Sequence, residues 1–250
     1  IEGLDARDEN VRVMDMSRIG AVLCGDAYDL DDGPPVKAML IQNTNPMSVA
    51  PNQTKVRQGF EREDLFVCVH EHFMTETALM ADIVLPATMF LEHDDVYRGG
   101  GHQHISMGPK VIDGPELCRS NHFVICELAK RVGAEHPGFN KTAWQLVDDC
   151  LKASGYPDAE ALTQKSFDDR QPDFATSHYL NGFAHTDGRF HFKADWTSSW
   201  ASRFGPEGFA KTMPSLPDHW DVIEQTSDEM PFRLVTAPAR NFLNSTFNET

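Results

Sequence analysis

Apolar residues in the first half of the chain fall into short unbroken runs separated by polar turns. That is the pattern of strands covered on both faces, not of strands with one wet face. The first run spans 36–42 (Val-Lys-Ala-Met-Leu-Ile-Gln). It is entered from Gly33-Pro34-Pro35 and left through Asn43-Thr44-Asn45-Pro46. The second, 65–69 (Leu-Phe-Val-Cys-Val), is apolar throughout. Thr75 then stands as N-cap of a short helix with its body at 77–81. Ile83-Val84-Leu85-Pro86 forms a third strand, closed by proline. Strand, helix and strand in this order predict an α/β fold: a Rossmann-like parallel sheet with right-handed crossovers and flanking helices.

Past Gly99-Gly100-Gly101 the period lengthens to that of helices. One helix starts near Ser120-Asn121 and stops at Gly133, with Phe123, Val124, Leu128 and Val132 as its apolar stripe. A second runs from about Thr142 to Ser154 with Trp144, Val147 and Leu151 inward, and a third from Asp158 to about Phe167. The stretch 168–172 reads as a polar linker. Asp187-Gly188 reads as the two-residue turn of a hairpin whose return strand carries Phe190 and Phe192 on one face. Phe232-Arg233-Leu234-Val235-Thr236 reads as a new strand. The expected division is an α/β domain over 1–167, a connecting segment with a hairpin over 168–229, and the start of a further domain over 230–250.

The formal net charge of −16 repels nucleic acid and anionic membrane surfaces, and no Lys/Arg cluster offsets it. A nucleic-acid partner is excluded on that ground. No apolar run approaches the ~20 residues that a membrane helix needs, so membrane insertion is not expected. Cys24, Cys68, Cys118, Cys126 and Cys150 include no Cys-x-x-Cys pair and read as buried, reduced thiols. The chain begins Ile1-Glu2-Gly3 and ends shortly after a strand opens a new unit, which reads as an internal segment of a longer protein.

Ligands of open α/β sheets bind beyond the carboxyl ends of the strands. That rule selects the loop Asn43-Thr44-Asn45-Pro46, the segment His70-Glu71-His72, and the helix start at Ser120-Asn121, whose free N–H groups attract polar ligand atoms. Glu71 is the carboxylate that directly follows a strand end. It can accept two hydrogen bonds, and guanine offers two adjacent donors. Asn45 and Asn121 can both donate and accept, as a ribose or base edge requires. The plainer reading of Asn-Thr-Asn-Pro is turn chemistry.

Other chemistries find little support. Gly99-Gly100-Gly101 does not lie between a strand and a helix, so an NAD-type phosphate loop is not indicated. His70/His72 and His102/His104 are His-x-His pairs without a Glu or Cys partner at matching spacing, so no protein-held metal is expected. Ser48 and Ser106 have no placed base, and the run from Glu92 to Asp95 reads as a solvated loop. No catalytic residue is assigned.

Two runs carry a family likeness. Ile41-Gln42-Asn43-Thr44-Asn45-Pro46-Met47 resembles the strand-then-Asn-Pro loop of the molybdopterin oxidoreductases of the dimethyl sulfoxide reductase family. Thr75-Glu76-Thr77-Ala78-Leu79-Met80-Ala81-Asp82-Ile83-Val84-Leu85-Pro86-Ala87, followed by Glu92, resembles that family's third-domain motif. The likeness is strong over 36–133 and moderate from Phe232 onward, where it resembles the start of the family's C-terminal β-barrel.

The resemblance implies a bis(molybdopterin guanine dinucleotide) molybdenum cofactor. It implies Asn45 on the nucleotide, and His70 and Glu71 framing the guanosine. His93 falls near the cofactor and Asn121 stands where an Asp is common. Thr236, Arg240, Asn244, Ser245 and Thr246 fall on the loop approaching the pterin. Glu71 stands where the family more often has Asp, and Arg98-Gly99-Gly100-Gly101-His102-Gln103-His104 departs from the commoner loop. The molybdenum ligand and any iron–sulfur segment lie upstream in the family, so an iron–sulfur cluster would belong to the full-length protein only, and the segment alone is expected to be inert. Partners implied are the remaining domains of the same enzyme and an electron-transfer subunit. The compartment is open, cytoplasmic being favoured over periplasmic. Two other readings remain: a non-redox nucleotide-binding α/β module, and an accessory domain without cofactor.

Overall fold

The computed structural model describes residues 11–193, 195–196, 214–216, 218, 226–237, 240 and 244–245. Internal contacts group the chain into two compact units. One is built from Val36–Thr44 and Glu61–Leu180, the other from Arg12–Pro35, Asn45–Phe60 and the residues after 181.

The first unit contains the expected parallel sheet. Strands β1 (Ala38–Gln42), β2 (Phe66–Glu71) and β3 (Ile83–Pro86) are hydrogen-bonded in that order, with Gln42 opposite His70 and His70 opposite Leu85. Ile41, Val67 and Val69 are at most 5% exposed and fill one face. The run from Thr75 to Pro86 has a local physical reason at each polar position. Thr75 caps α4 (Glu76–Leu79) by accepting from Ala78 N at 3.2 Å. Thr77 is fully buried. Asp82 accepts from Val67 N at 2.7 Å while its own N–H donates to Val67 O at 2.9 Å, which seats the start of β3 on β2. β2 runs two residues past the expected Val69, so His70 and Glu71 are strand residues, not loop residues.

The second half of this unit corrects the sequence reading in two places. The expected solvated loop ends in β4 (Asp95–Arg98), antiparallel to β5 (His104–Gly108), and the expected linker contains β6 (Asp168–Asp169), paired on the other edge of β5. In β5 only Ile105 and Met107 point inward, too short a two-residue alternation to stand out among polar neighbours. Asp168 is buried opposite Ile105. Its carboxylate takes Lys165 at 2.6 Å and Arg170 at 3.3 Å, and the Lys165 bond foremost holds it below the usual carboxylate range. Ile105 and Met107 pack with Leu151, Ala159 and Leu162, and with the half-buried Val96, Trp144, Val147 and Tyr156.

The three later helices stand where periodicity predicts them: α5 (Asn121–Val132), α6 (Ala143–Ala153) and α7 (Ala159–Lys165). Ser120, Thr142 and Asp158 cap them, and Gly133 closes α5 at φ 72°. The α5 stripe is not buried as expected. Val124 and Ala129 are covered, while Phe123, Leu128 and Val132 are 41–76% exposed. Helical periodicity marks an apolar face but not what covers it. A final short helix, α8 (Phe174–Ser177), completes this unit.

In the second unit, α1 (Ile19–Leu23) crosses α3 (Gln53–Phe60) at two glycines, and α2 (Pro46–Val49) precedes α3. A Cβ on Gly20 would stand 2.7 Å from Val56 N, and one on Gly59 would stand 2.5 Å from Leu23 Cβ. Backbone cannot yield as a side-chain tip can. Gly20→Ala is therefore expected to destabilise this unit by about 1–3 kcal/mol, the range for overpacking. Denaturant titration of the variant against wild type checks it, and an unchanged midpoint would refute the close approach.

Gly188 has φ 66° and its N–H donates to His185 O at 2.8 Å, which closes a turn over 185–188, one residue before the expected two-residue turn at Asp187-Gly188; no paired strands flank it among the described residues. Among the described residues 232–236 lies in no strand ladder, and Phe232, Leu234 and Val235 are 84–91% exposed. A strand is defined by its partner, and pattern alone does not supply one. The described residues thus show no ladder for the expected barrel start. The described cysteines are all free, and Cys24 and Cys150 are exposed, contrary to expectation. Cys68 is half-buried, and burial pushes its thiol up. Among the described residues no helix is long and apolar enough to cross a membrane.

Candidate functional site

The carboxyl edge of the parallel sheet is closed by a short backbone bridge. Ala87, just past β3, pairs in parallel with Arg119; Arg119 N donates to Pro86 O at 3.0 Å and Thr88 N to Arg119 O at 3.1 Å. Arg119 immediately precedes the Ser120 cap, so the start of α5 is carried to the ends of β1 and β2.

His70 is the centre of this edge and is fully buried. Its Nε2 lies 2.9 Å from Arg119 O, an atom that only accepts, so Nε2 carries the proton. In the neutral ring Nδ1 is then an acceptor, and it takes Gln42 Nε2 at 3.0 Å. The same Gln42 amide nitrogen donates to Asn121 Oδ1 at 3.4 Å. Both ring nitrogens of His70 are therefore occupied inside the protein. The sequence singles out His70 and Asn121 but not Gln42 or the Arg119 carbonyl. The readable signal for Gln42 is a polar residue ending an otherwise apolar strand, in register with a histidine.

Consecutive strand residues point to opposite faces, so Glu71 turns away from His70. Its Oε1 accepts from His72 N at 2.6 Å, and the His72 ring is tied down by Nε2 donating to Thr88 O at 2.8 Å. The Glu71 side chain is 12% exposed. Its other oxygen has no protein partner among the described residues and faces the edge of the sheet. It is a mostly covered carboxylate with one accepting atom to spare.

The remaining expected residues are dispersed. His93 lies between β3 and β4, with Nδ1 2.8 Å from Thr88 Oγ1 and Nε2 3.8 Å from Asp95 Oδ2. Asn45 is buried in the second unit as N-cap of α2, with Pro46 at the first helical position; Ser48 N and Val49 N donate to its carbonyl. Thr236, Arg240 and Asn244 are exposed and Ser245 is half-buried, also in the second unit. Thr246 lies outside the described residues. His102 and His104 stack at 5.1 Å, and His104 packs on Phe167 at 4.7 Å. Among the described residues no three His, Cys, Asp or Glu side chains are grouped to hold a metal.

Comparison with known proteins bears on this geometry. Residues 28–131 match the family described as Molybdopterin oxidoreductase. The chain is 34% identical over 239 residues to "Probable oxidoreductase YoaE" of Bacillus subtilis (strain 168), covering 95% of this chain and 32% of that protein. It is 36% identical over 101 residues to the periplasmic nitrate reductase of Desulfovibrio desulfuricans, covering 40% of this chain and 13% of that protein. In fold it is similar to the solved acetylene hydratase from Pelobacter acetylenicus, with TM-score 0.57 and 22% identity, over 82% of this chain and 26% of that one. The chain thus spans about a third of the length of the first of these relatives.

Proposed function

We propose that this chain is a segment of a molybdopterin oxidoreductase, as the family match over residues 28–131 supports, and that the carboxyl edge of its sheet holds the guanine dinucleotide end of a bis(molybdopterin guanine dinucleotide) molybdenum cofactor. One observation carries this reading. Glu71, although mostly covered, keeps one carboxylate oxygen without a protein partner at the edge where α/β sheets take ligands. An accessible acceptor on a mostly covered carboxylate suits a ligand with N–H groups to donate, and the Watson–Crick edge of guanine has two. Asn121, on the opposite face of the same strand end, adds donors. The donor and acceptor set therefore fits a guanine nucleotide.

When bound, the molybdenum of that group supplies the redox chemistry, and this segment contributes binding and orientation. Glu71 accepts from the base, Asn121 donates, and His70 is a positioning residue because its ring has no nitrogen left for a ligand. Asn45 and His93 are assigned to the nucleotide by the family resemblance alone. Thr236, Arg240, Asn244, Ser245 and Thr246 are assigned to the pterin end of the same cofactor by the family resemblance alone. The metal ligand, any iron–sulfur cluster, the remaining domains and an electron-transfer subunit belong to the rest of the protein.

Calorimetry of the chain with GMP and with NAD tests the proposal. A saturable one-to-one heat with GMP and none with NAD is expected. Equal binding of both would favour a general nucleotide module, and binding of neither an accessory domain without cofactor.

A further inference from the structure

We propose that Gln42 is a positioning residue that sets the hydrogen-bonding polarity of Asn121, so that this amide presents donors and no acceptor to the ligand. The inference rests on the nucleotide reading for its functional consequence, but its structural part follows from hydrogen-bond bookkeeping in a buried network.

The chain of reasoning starts at the Arg119 carbonyl. It fixes the proton of His70 on Nε2. That leaves Nδ1 as an acceptor, so the Gln42 atom 3.0 Å away is its amide nitrogen, not its oxygen. Gln42 Nε2 has a second proton, and Asn121 lies within its reach. Were Asn121 rotated to put Nδ2 there, two donors would face each other. Asn121 therefore offers Oδ1 to Gln42 at 3.4 Å. Its Nδ2, which has no partner among the described residues, is left pointing away from Gln42 with both protons available. An Asn is ordinarily ambiguous, able to read a donor or an acceptor. Here three bonds spread over β1, β2 and the bridge before α5 remove the ambiguity.

The consequence is discrimination between purines. Guanine carries a carbonyl at the position where adenine carries an amine. A donor-only Asn121 matches the carbonyl of guanine and opposes the amine of adenine. Selectivity thus depends on a residue that touches no ligand.

Gln42→Glu tests this most sharply, because a carboxylate can only accept. It draws Asn121 Nδ2 inward and turns Oδ1 outward, and it favours a proton on His70 Nδ1. Affinities for GMP and AMP are measured by calorimetry on the chain, and the His70 ring nitrogens are read by ¹⁵N NMR without nucleotide. In wild type the ring is expected as the neutral Nε2–H form, with GMP preferred. In Gln42→Glu the ratio of GMP to AMP affinity is expected to fall at least about tenfold, the size of one hydrogen bond reversed, and the Nδ1 resonance to move towards its protonated position. Gln42→Met, which neither donates nor accepts, is expected to lower the ratio by less and serves if the glutamate variant does not fold. A wild-type proton on Nδ1, or a purine ratio within twofold of wild type in both variants, overturns the proposal. If wild-type chain binds no GMP, the nucleotide reading falls, while the ring-nitrogen shifts still decide the Gln42 network.

Discussion

Replacing His70 by Ala is expected to lower the unfolding free energy by about 2–4 kcal/mol, the range for truncating a large buried side chain together with its hydrogen bonds. The side chain is fully buried, so the imidazole leaves a cavity that its neighbours fill only in part. Two bonds go with it. The Arg119 carbonyl keeps its bond from Thr88 N, so that loss is partial; the Gln42 amide loses its better partner and retains only the longer bond to Asn121. The two contributions can be separated. His70→Leu restores most of the volume but none of the polar bonds, and about 1–2 kcal/mol should remain lost for an unsatisfied buried amide. Denaturant titrations of wild type and both variants measure the effect. A loss under about 1 kcal/mol in the alanine variant would mean that the network adds little and that water replaces it readily.

Much of this edge was legible before the fold was known, because its parts are local. Thr75, Ser120, Thr142 and Asp158 announce helix starts by short side-chain bonds to backbone three residues on, and Gly133 announces an end by a backbone angle that few residues tolerate. The continuous apolar runs announce a parallel sheet, but not its coverage: they predict two buried faces, and Leu40, Phe66 and Ile83 on the second face are 38–46% exposed. Glu71 and Asn121 follow from these, since the strand-end rule needs only strand boundaries. What was not legible is non-local. Gln42 and the Arg119 carbonyl are 77 positions apart and meet through His70; the register of β1 on β2 and the bridge from Ala87 to Arg119 bring them together. The hairpin β4–β5 and its partner β6 were missed for the same reason. Asp168 reads as a linker residue until Ile105, Lys165 and Arg170 surround it. Conversely, 232–236 has the composition of a strand but joins no ladder among the described residues.

The two faces of β2 divide the work. His70 is consumed by the protein, and its rigidity fixes what stands next to it. Glu71, one residue on and turned the other way, keeps an atom unspent. A single strand end thus supplies both a fixed support and an open acceptor, and the difference between them is which side chain meets the Arg119 carbonyl and Gln42.

Glu71→Gln is the variant expected to cost most in binding and least in folding. The Gln carbonyl can still accept from His72 N, so the backbone bond that shapes the end of β2 survives. The other oxygen becomes an amine, which sets a donor against the N–H groups of guanine. Hydrogen bonds to a charged acceptor contribute about 1.5–3 kcal/mol, so GMP affinity is expected to fall by roughly 10- to 150-fold, with the unfolding midpoint near that of wild type. Glu71→Asp keeps the charge and shortens the reach by one methylene. It should bind GMP several-fold more weakly than wild type but better than the glutamine variant, since charge matters more here than length. Calorimetry with GMP and denaturant titration of the three chains check both halves. Full GMP affinity in the glutamine variant would remove Glu71 from the site, whereas a parallel loss of affinity and stability would make it a structural residue of the strand end.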